Sequence, residues 1–209
     1  MSPVKTLTRI ALALAVSSSL STAAIAGDAS IPSTLKVREF NSIASNYLER
    51  PTFVKIIDKK KTDKMVISVD LIRKSKANRD SGAYETLVFS EKRIDKYVAA
   101  IDKYLSWEEI AKRDGDIIKK KITKVKANSS SFVFFDFFSA NQSNHYLMLT
   151  RPTFANVLTN ANSNNGGNES PPDFALNREN AIVLKTLLTD WKNGAFEDRL
   201  NLDVEDKYK

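Results

Sequence analysis

The sequence predicts an α+β domain: a mostly antiparallel sheet of about six to eight strands, with a long central helix and a C-terminal helix packed on it. Three observations predict it. Short β-branched and aromatic runs recur between polar turns, as in Phe53 to Ile57, Met65 to Ile72 and Phe132 to Phe138. Apolar residues from Ile94 to Ala111 keep helical spacing over several turns, and a second periodic stretch runs from Arg178 to Lys192.

Taken in order, residues 1–26 read as a secretory signal. Lys5 and Arg9 precede the apolar run Ile10 to Val16, and Ala24-Ile25-Ala26 gives an A-x-A cleavage pattern that leaves Gly27 as the mature N-terminus. The remaining 183 residues suit one domain, long enough to bury roughly 70% of its unfolded surface. Ala29 to Thr34, with Pro32, reads as an exposed lead-in. Val37, Phe40, Ile43, Ala44, Tyr47 and Leu48 recur at helical spacing and predict a helix over Leu35 to Leu48, with Ser33 or Thr34 as cap and Pro51 as its end.

Phe53 to Ile57 and Met65 to Ile72, separated by the polar Asp58 to Lys64, predict an antiparallel hairpin, and Tyr84 to Phe89 a further strand. The long helix follows. Ser90 is positioned to cap it, and its stripe is Ile94, Tyr97, Val98, Ile101, Tyr104, Leu105, Ile110 and Ala111, with Trp107 at the margin and Gly115 as a left-handed stop. Ile117 to Lys126, Phe132 to Phe138 and His145 to Thr150 complete the sheet beneath it. Phe132 to Phe138 is apolar on both faces, which predicts a central strand covered on both sides. Phe154 to Thr159 reads as an edge strand, Asn160 to Pro172 as a loop, and Asn177 and Gly194 as the limits of the last helix. A shift of 87 positions places Phe89-Ser90 on Leu176-Asn177, and Ile94, Tyr97, Ile101 and Tyr104 on Ala181, Leu184, Leu188 and Trp191, so each half has a strand leading into an amphipathic helix.

The stretch Ile101-Asp102-Lys103-Tyr104-Leu105-Ser106-Trp107-Glu108-Glu109-Ile110-Ala111-Lys112, followed by a Lys-bearing strand, resembles a segment of small exported bacterial proteins of unassigned function. The resemblance implies export and carries no activity.

Charge is uneven. The chain has 32 Lys+Arg against 25 Asp+Glu, and Arg50 to Lys126 holds 21 basic and 12 acidic residues, whereas Ala127 to Lys209 holds 7 and 10. Two clusters make the positive field: Lys59, Lys60 and Lys61 with Lys55 and Lys64, and Lys119, Lys120 and Lys121 with Lys124 and Lys126. In an exported protein such clusters suit anionic envelope components or a protein partner, with salt-sensitive attraction. Lysines on strand edges also prevent edge-to-edge pairing. Nucleic acid is an unsuitable partner, since export removes the chain from it and no aromatic residues interleave with the basic ones.

Chemistry is bounded by composition. The absence of Cys excludes disulfides, thiolate metal sites and a Cys nucleophile. His145 is the only His, no G-x-S-x-G elbow occurs, and its place beside Asn144 reads as a solvated strand end. No zinc or calcium pattern appears, no cofactor is implied, and no mature segment has the apolar length of a membrane span. Asp136 interrupts a run of Phe, and Asp70 lies between Val69 and Leu71. Each needs a partner or a raised pKa if buried; Lys124 or Arg151 could pair with Asp136, and the two carboxylates together could serve as acid and base on an envelope glycan. The aromatic set Tyr97, Tyr104, Trp107, Phe132, Phe134, Phe135, Phe137, Phe138, Phe154 and Trp191 reads as core, with an apolar-ligand cleft as the alternative use. The reading favoured by the missing catalytic constellations is an exported, non-catalytic binding module, with a carboxylate-dependent hydrolase and a lipid carrier as alternatives.

Overall fold

Strand formation begins earlier than the sequence predicts. In the computed structural model, which describes residues 28–57, 63–72, 74, 81–151 and 173–200, buried Ala29 and Ile31 alternate with exposed Asp28 and Ser30. That period of two lets β1 (Asp28–Ile31) pair antiparallel with β4 (Thr52–Ile57), so the expected lead-in is an edge strand. The hairpin read from sequence is present: β4 pairs with β5 (Lys64–Val69), and β5 with β6 (Glu85–Ser90), giving a four-stranded sheet ordered β1-β4-β5-β6.

The helix expected over Leu35 to Leu48 is instead two strands, β2 (Val37–Asn41) and β3 (Asn46–Arg50). Asn41 decides this, because its side-chain oxygen accepts from the backbone N–H of Ile43 (3.0 Å) and Ala44 (2.9 Å), closing a turn where a helix would have run on. Ser45 completes the reversal at φ +48°. The apolar residues that mimic a helical stripe are largely at the surface: Phe40 is 55% exposed and Ile43 96%.

The second sheet is ordered β3-β2-β10-β9-β8-β7, from β7 (Lys119–Lys126), β8 (Phe132–Ser139), β9 (His145–Thr150) and β10 (Asp173–Leu176). All pairings are antiparallel, as the α+β reading expects, and the ten strands of the described residues divide between two sheets of four and six. β8 is not central but second from the edge, and only Val133, Phe135, Phe137 and Ser139 are buried on it, while Phe132, Phe134, Asp136 and Phe138 are half-buried on the opposite face. The middle places belong to β10 and β9. Residues 58–62 and 152–172, which include Lys59, Lys60, Lys61 and the strand and loop expected from Phe154 to Pro172, lie outside the described residues.

A 3-10 turn, Glu91–Arg93, leads into α1 (Ile94–Asp114). Ser90 precedes that turn, and its side chain makes no capping bond. Gly115 ends the helix as expected: its φ of +73° costs little without a Cβ, and its N–H donates to Ala111 O at 2.8 Å. The buried stripe is Ile94, Tyr97, Ala100, Ile101, Tyr104, Glu108 and Ala111. Ile110 is exposed, contrary to expectation, because the one-turn step from Tyr104 lands on Glu108 and leaves Ile110 on the far side.

Glu108 is buried for a reason that lies on α2 (Arg178–Lys192). Its carboxylate takes Arg178 at 2.7 Å and Lys112 at 2.7 Å, and Arg178 also reaches Glu109 at 3.0 Å. Two further pairs, Asp102 with Lys185 (2.6 Å) and Asp95 with Lys192 (2.5 Å), continue along the seam. Numbers fall on α1 as they rise on α2, so the helices run antiparallel, with acids and bases each at seven-residue spacing. Asn177 caps α2 through a bond from Asn180 N–H (3.2 Å). Gly194, at φ +76°, passes so close to Glu197 of α3 (Glu197–Leu200) that an added Cβ would lie 2.7 Å from a carboxylate oxygen.

Both sheets and both helices share one core. Ile56, Met65 and Phe89 come from the four-stranded sheet, Val133, Phe135 and Leu147 from the six-stranded sheet, Ile101 from α1, and Leu184 and Leu188 from α2. Each such side chain contributes about 1.5–3 kcal/mol by leaving water. Tyr97 ties the sheets together: its ring meets Phe89 edge-on (centroids 5.0 Å) and stacks near Phe135 (6.0 Å), and its hydroxyl accepts from Ser90 N–H and donates to Lys126 O, both at 3.3 Å. The helix pairs matched by the 87-residue shift, Ile94 with Ala181 through Tyr104 with Trp191, are all buried.

Candidate functional site: the outer face of the six-stranded sheet

The face of this sheet turned away from α1 and α2 divides into two parts. Over its middle, Tyr146, Met148 and Ala175 form a small second apolar cluster with Tyr47, Phe138 and Ala140. The β2–β3 arm covers it. β2 joins β10 at the single pair Arg38–Ala175, and beyond that point the arm lies across the face, so that the Tyr47 ring reaches Tyr146 (4.3 Å) and Phe138 (6.4 Å). Glu49 across the arm holds Arg38 at 2.8 Å.

Towards the β7 edge the face carries exposed lysines. Lys121 lies opposite Asp136 and Lys119 opposite Phe138; the register then shifts at Ile122, so Lys124 lies opposite Phe134 and Lys126 opposite Phe132. Strict alternation would have put Thr123 and Val125 beside Lys121. One extra residue instead brings Lys119, Lys121, Lys124 and Lys126 onto one side, leaving Val125 buried and Ile122 packed against the core. Successive lysines stand about 7 Å apart, or slightly more across the bulge. Lys121 lies over the Phe134 ring (5.1 Å) and Lys124 over Phe132 (5.6 Å), an arrangement that holds the ammonium groups above an aromatic floor. Lys120 points to the other side, over Trp107 at 4.9 Å, where Lys103 also sits. Among the described residues none of Lys119, Lys121, Lys124 or Lys126 forms an ion pair, whereas the basic residues of the helix seam do.

Asp136 sits within this lane. Its registered neighbour across β7 is Lys121, not Lys124, because of the bulge. Burial pushes its carboxyl above the usual carboxylate range, the ammonium groups of Lys119 and Lys121 pull the other way, and nearby Asp173 pushes it up further. Asp173, which sequence reasoning did not single out, accepts from the Thr150 hydroxyl at 2.7 Å. Asp70 is elsewhere, just past β5 in the four-stranded sheet, bound to Lys74 at 2.9 Å while its N–H donates to Pro51 O. The two carboxylates proposed as a pair therefore belong to different sheets, each with its own cationic neighbour.

His145 is buried, not solvated. Its ring stacks on Phe137, Nδ1 lies 3.1 Å from Ser139 Oγ, and Nε2 lies 3.2 Å from Gln142 O. Ser139 also donates to Asp116 O, so this His is the centre of a bracket that ties the loop after α1 to the β8–β9 turn. Of the aromatic set, Tyr97, Tyr104, Phe135, Phe137 and Trp191 are core, and Phe154 lies outside the described residues. Phe138 belongs to the outer cluster, at whose end a cleft of about 320 Å³ opens between the tip of the β2–β3 arm and the β8–β9 turn, with Phe40, Tyr47 and Tyr146 as its other rings. No group of three or more His, Asp or Glu suited to a metal, and no helix long and apolar enough to cross a membrane, occurs among the described residues. No family model, curated protein or solved structure matches this chain.

Proposed function

We propose that the protein is an exported, non-catalytic binding module that meets anionic components of the cell envelope through the lysine lane of β7. The observation that carries this reading is the register shift at Ile122, which gathers four exposed lysines on one face, none of them ion-paired with a carboxylate among the described residues. The N-terminal pattern of Lys5, Arg9, Ile10 to Val16 and Ala24-Ile25-Ala26 supports export. β7 is also an edge strand, so its lysines guard against edge pairing whatever else they do.

The test is sedimentation of the protein with vesicles containing phosphatidylglycerol, compared with pure phosphatidylcholine, over a range of salt. Each lysine near an anionic surface is worth about 1 kcal/mol, so Lys119→Gln, Lys121→Gln and Lys124→Gln together should weaken binding about a hundredfold, and raising salt should imitate the loss. Lysines that serve only as edge guards would leave binding unaltered while the triple variant self-associates; that result would remove the proposal.

A further inference from the structure

We infer that the cleft between the arm tip and the β8–β9 turn binds a neutral saccharide, with a sugar ring laid against its aromatic rings and its hydroxyls met by rim amides. The rings are already assembled: Tyr47 lies 5.4 Å from Phe40 at 61° and 4.3 Å from Tyr146. Phe40, 55% exposed, presents an apolar surface to a cleft whose volume falls at the lower end of ligand pockets. An aromatic floor suits the C–H face of a sugar as well as it suits lipid.

The rim decides between them. It consists of Ser45, Asn46, Asn141 and Asn144, and the lining includes no formally charged side chain among the described residues. Asn141 Oδ1 is engaged by the N–H groups of Ser143 (2.9 Å) and Asn144 (2.8 Å), and Asn46 Oδ1 by Tyr47 N–H (2.8 Å). Their NH2 groups are therefore the ends left to meet a ligand, as donors for hydroxyl oxygens. A fatty chain would gain nothing from such a rim and would strip water from it, whereas a carboxylate or phosphate would meet no cation among the lining residues, the nearest being Lys119 opposite Phe138 and Arg38 near Tyr146. An uncharged, hydroxyl-rich ring satisfies both the floor and the rim.

The full mature chain, labelled with 15N, should be titrated with chitotriose, cellotriose and maltotriose at high salt, where the lysine lane is screened. At least one should shift the amides of Tyr47, Asn141, Asn144 and Tyr146 with a millimolar or tighter Kd. Tyr47→Ala should weaken it about tenfold. Asn144→Ala, at an exposed position that leaves the arm packing intact, should weaken it about threefold or more. Lys121→Gln with Lys124→Gln should leave saccharide binding unchanged while impairing vesicle binding, which separates this cleft from the lane. Failure of all three saccharides to shift the cleft amides, or equal affinity in the Tyr47 and Asn144 variants, overturns the inference.

Discussion

Tyr97→Phe removes one oxygen from the junction of the two sheets and leaves the ring. Tyr97 is fully buried, and burial holds its phenol above the usual range, so the hydroxyl stays protonated and able to donate to Lys126 O throughout the neutral region. A neutral hydrogen bond contributes about 0.5–1.5 kcal/mol net. Both bonds here are 3.3 Å, longer than the usual range, which places each in the lower half and the pair at about 1–2 kcal/mol. Tyr97→Leu also forfeits the ring contacts with Phe89 and Phe135 and leaves a void, for about 3–5 kcal/mol in total. Urea unfolding followed by circular dichroism measures both. The midpoint should fall for Tyr97→Phe with an unchanged slope, because the two sheets unfold as one unit. An unmoved midpoint would refute the hydroxyl bridge, and separate transitions for the two sheets would refute the shared core.

Three other perturbations follow from the same contacts. Arg178→Ala strips buried Glu108 of one of its two cations and should cost about 2–3 kcal/mol, less than a fully orphaned buried charge because Lys112 remains; Glu108→Leu with Arg178→Met should recover most of it, and a double variant no better than the single would contradict the pairing. Ser139→Ala leaves Asp116 O and His145 Nδ1 without their shared hydroxyl and should cost about 1–3 kcal/mol in the same assay, with an unaltered stability counting against the bracket. Asp136 is easier to protonate folded than unfolded, so its contribution is fully present below the unfolded value near 3.9 and is lost as pH rises through the folded value. The stability of Asp136→Asn relative to wild type should accordingly rise across that window and then level off; a fall would mean that Lys119 and Lys121 outweigh burial.

How much of this was legible in the chain depends on how local each cause is. α1 and its end at Gly115 were legible because a period near 3.6 repeats over many residues and a single glycine supplies the stop. Five-residue β2 and β3 were not, since Val37, Phe40, Ile43 and Tyr47 fit a helical spacing and only the Asn41 turn breaks it. β10 is four residues long, too short for any period, and its place between β2 and β9 is set by partners far away in sequence. The division into two sheets has the same non-local origin.

Two further features leave a trace in the sequence. Asp95, Asp102 and Glu109 repeat every seven residues, as do Arg178, Lys185 and Lys192, which is the signature of facing helices. In Lys119 to Lys126, Ile122 and Val125 stand three apart, an interruption of strand alternation that marks the bulge and so the shared side of the lysines. The burial of His145 left no comparable trace, because Ser139 and Phe137 reach it only through the β8–β9 pairing.

Amide shift mapping with soluble short-chain phosphatidylglycerol puts the lysine lane to trial at residue resolution. The shifts should concentrate on Lys119, Lys121, Lys124, Phe134 and Asp136, and should vanish as salt is raised. Shifts confined to the exposed sides of α1 and α2, or shifts on β7 that persist undiminished at high salt, would contradict an electrostatic contact through this face.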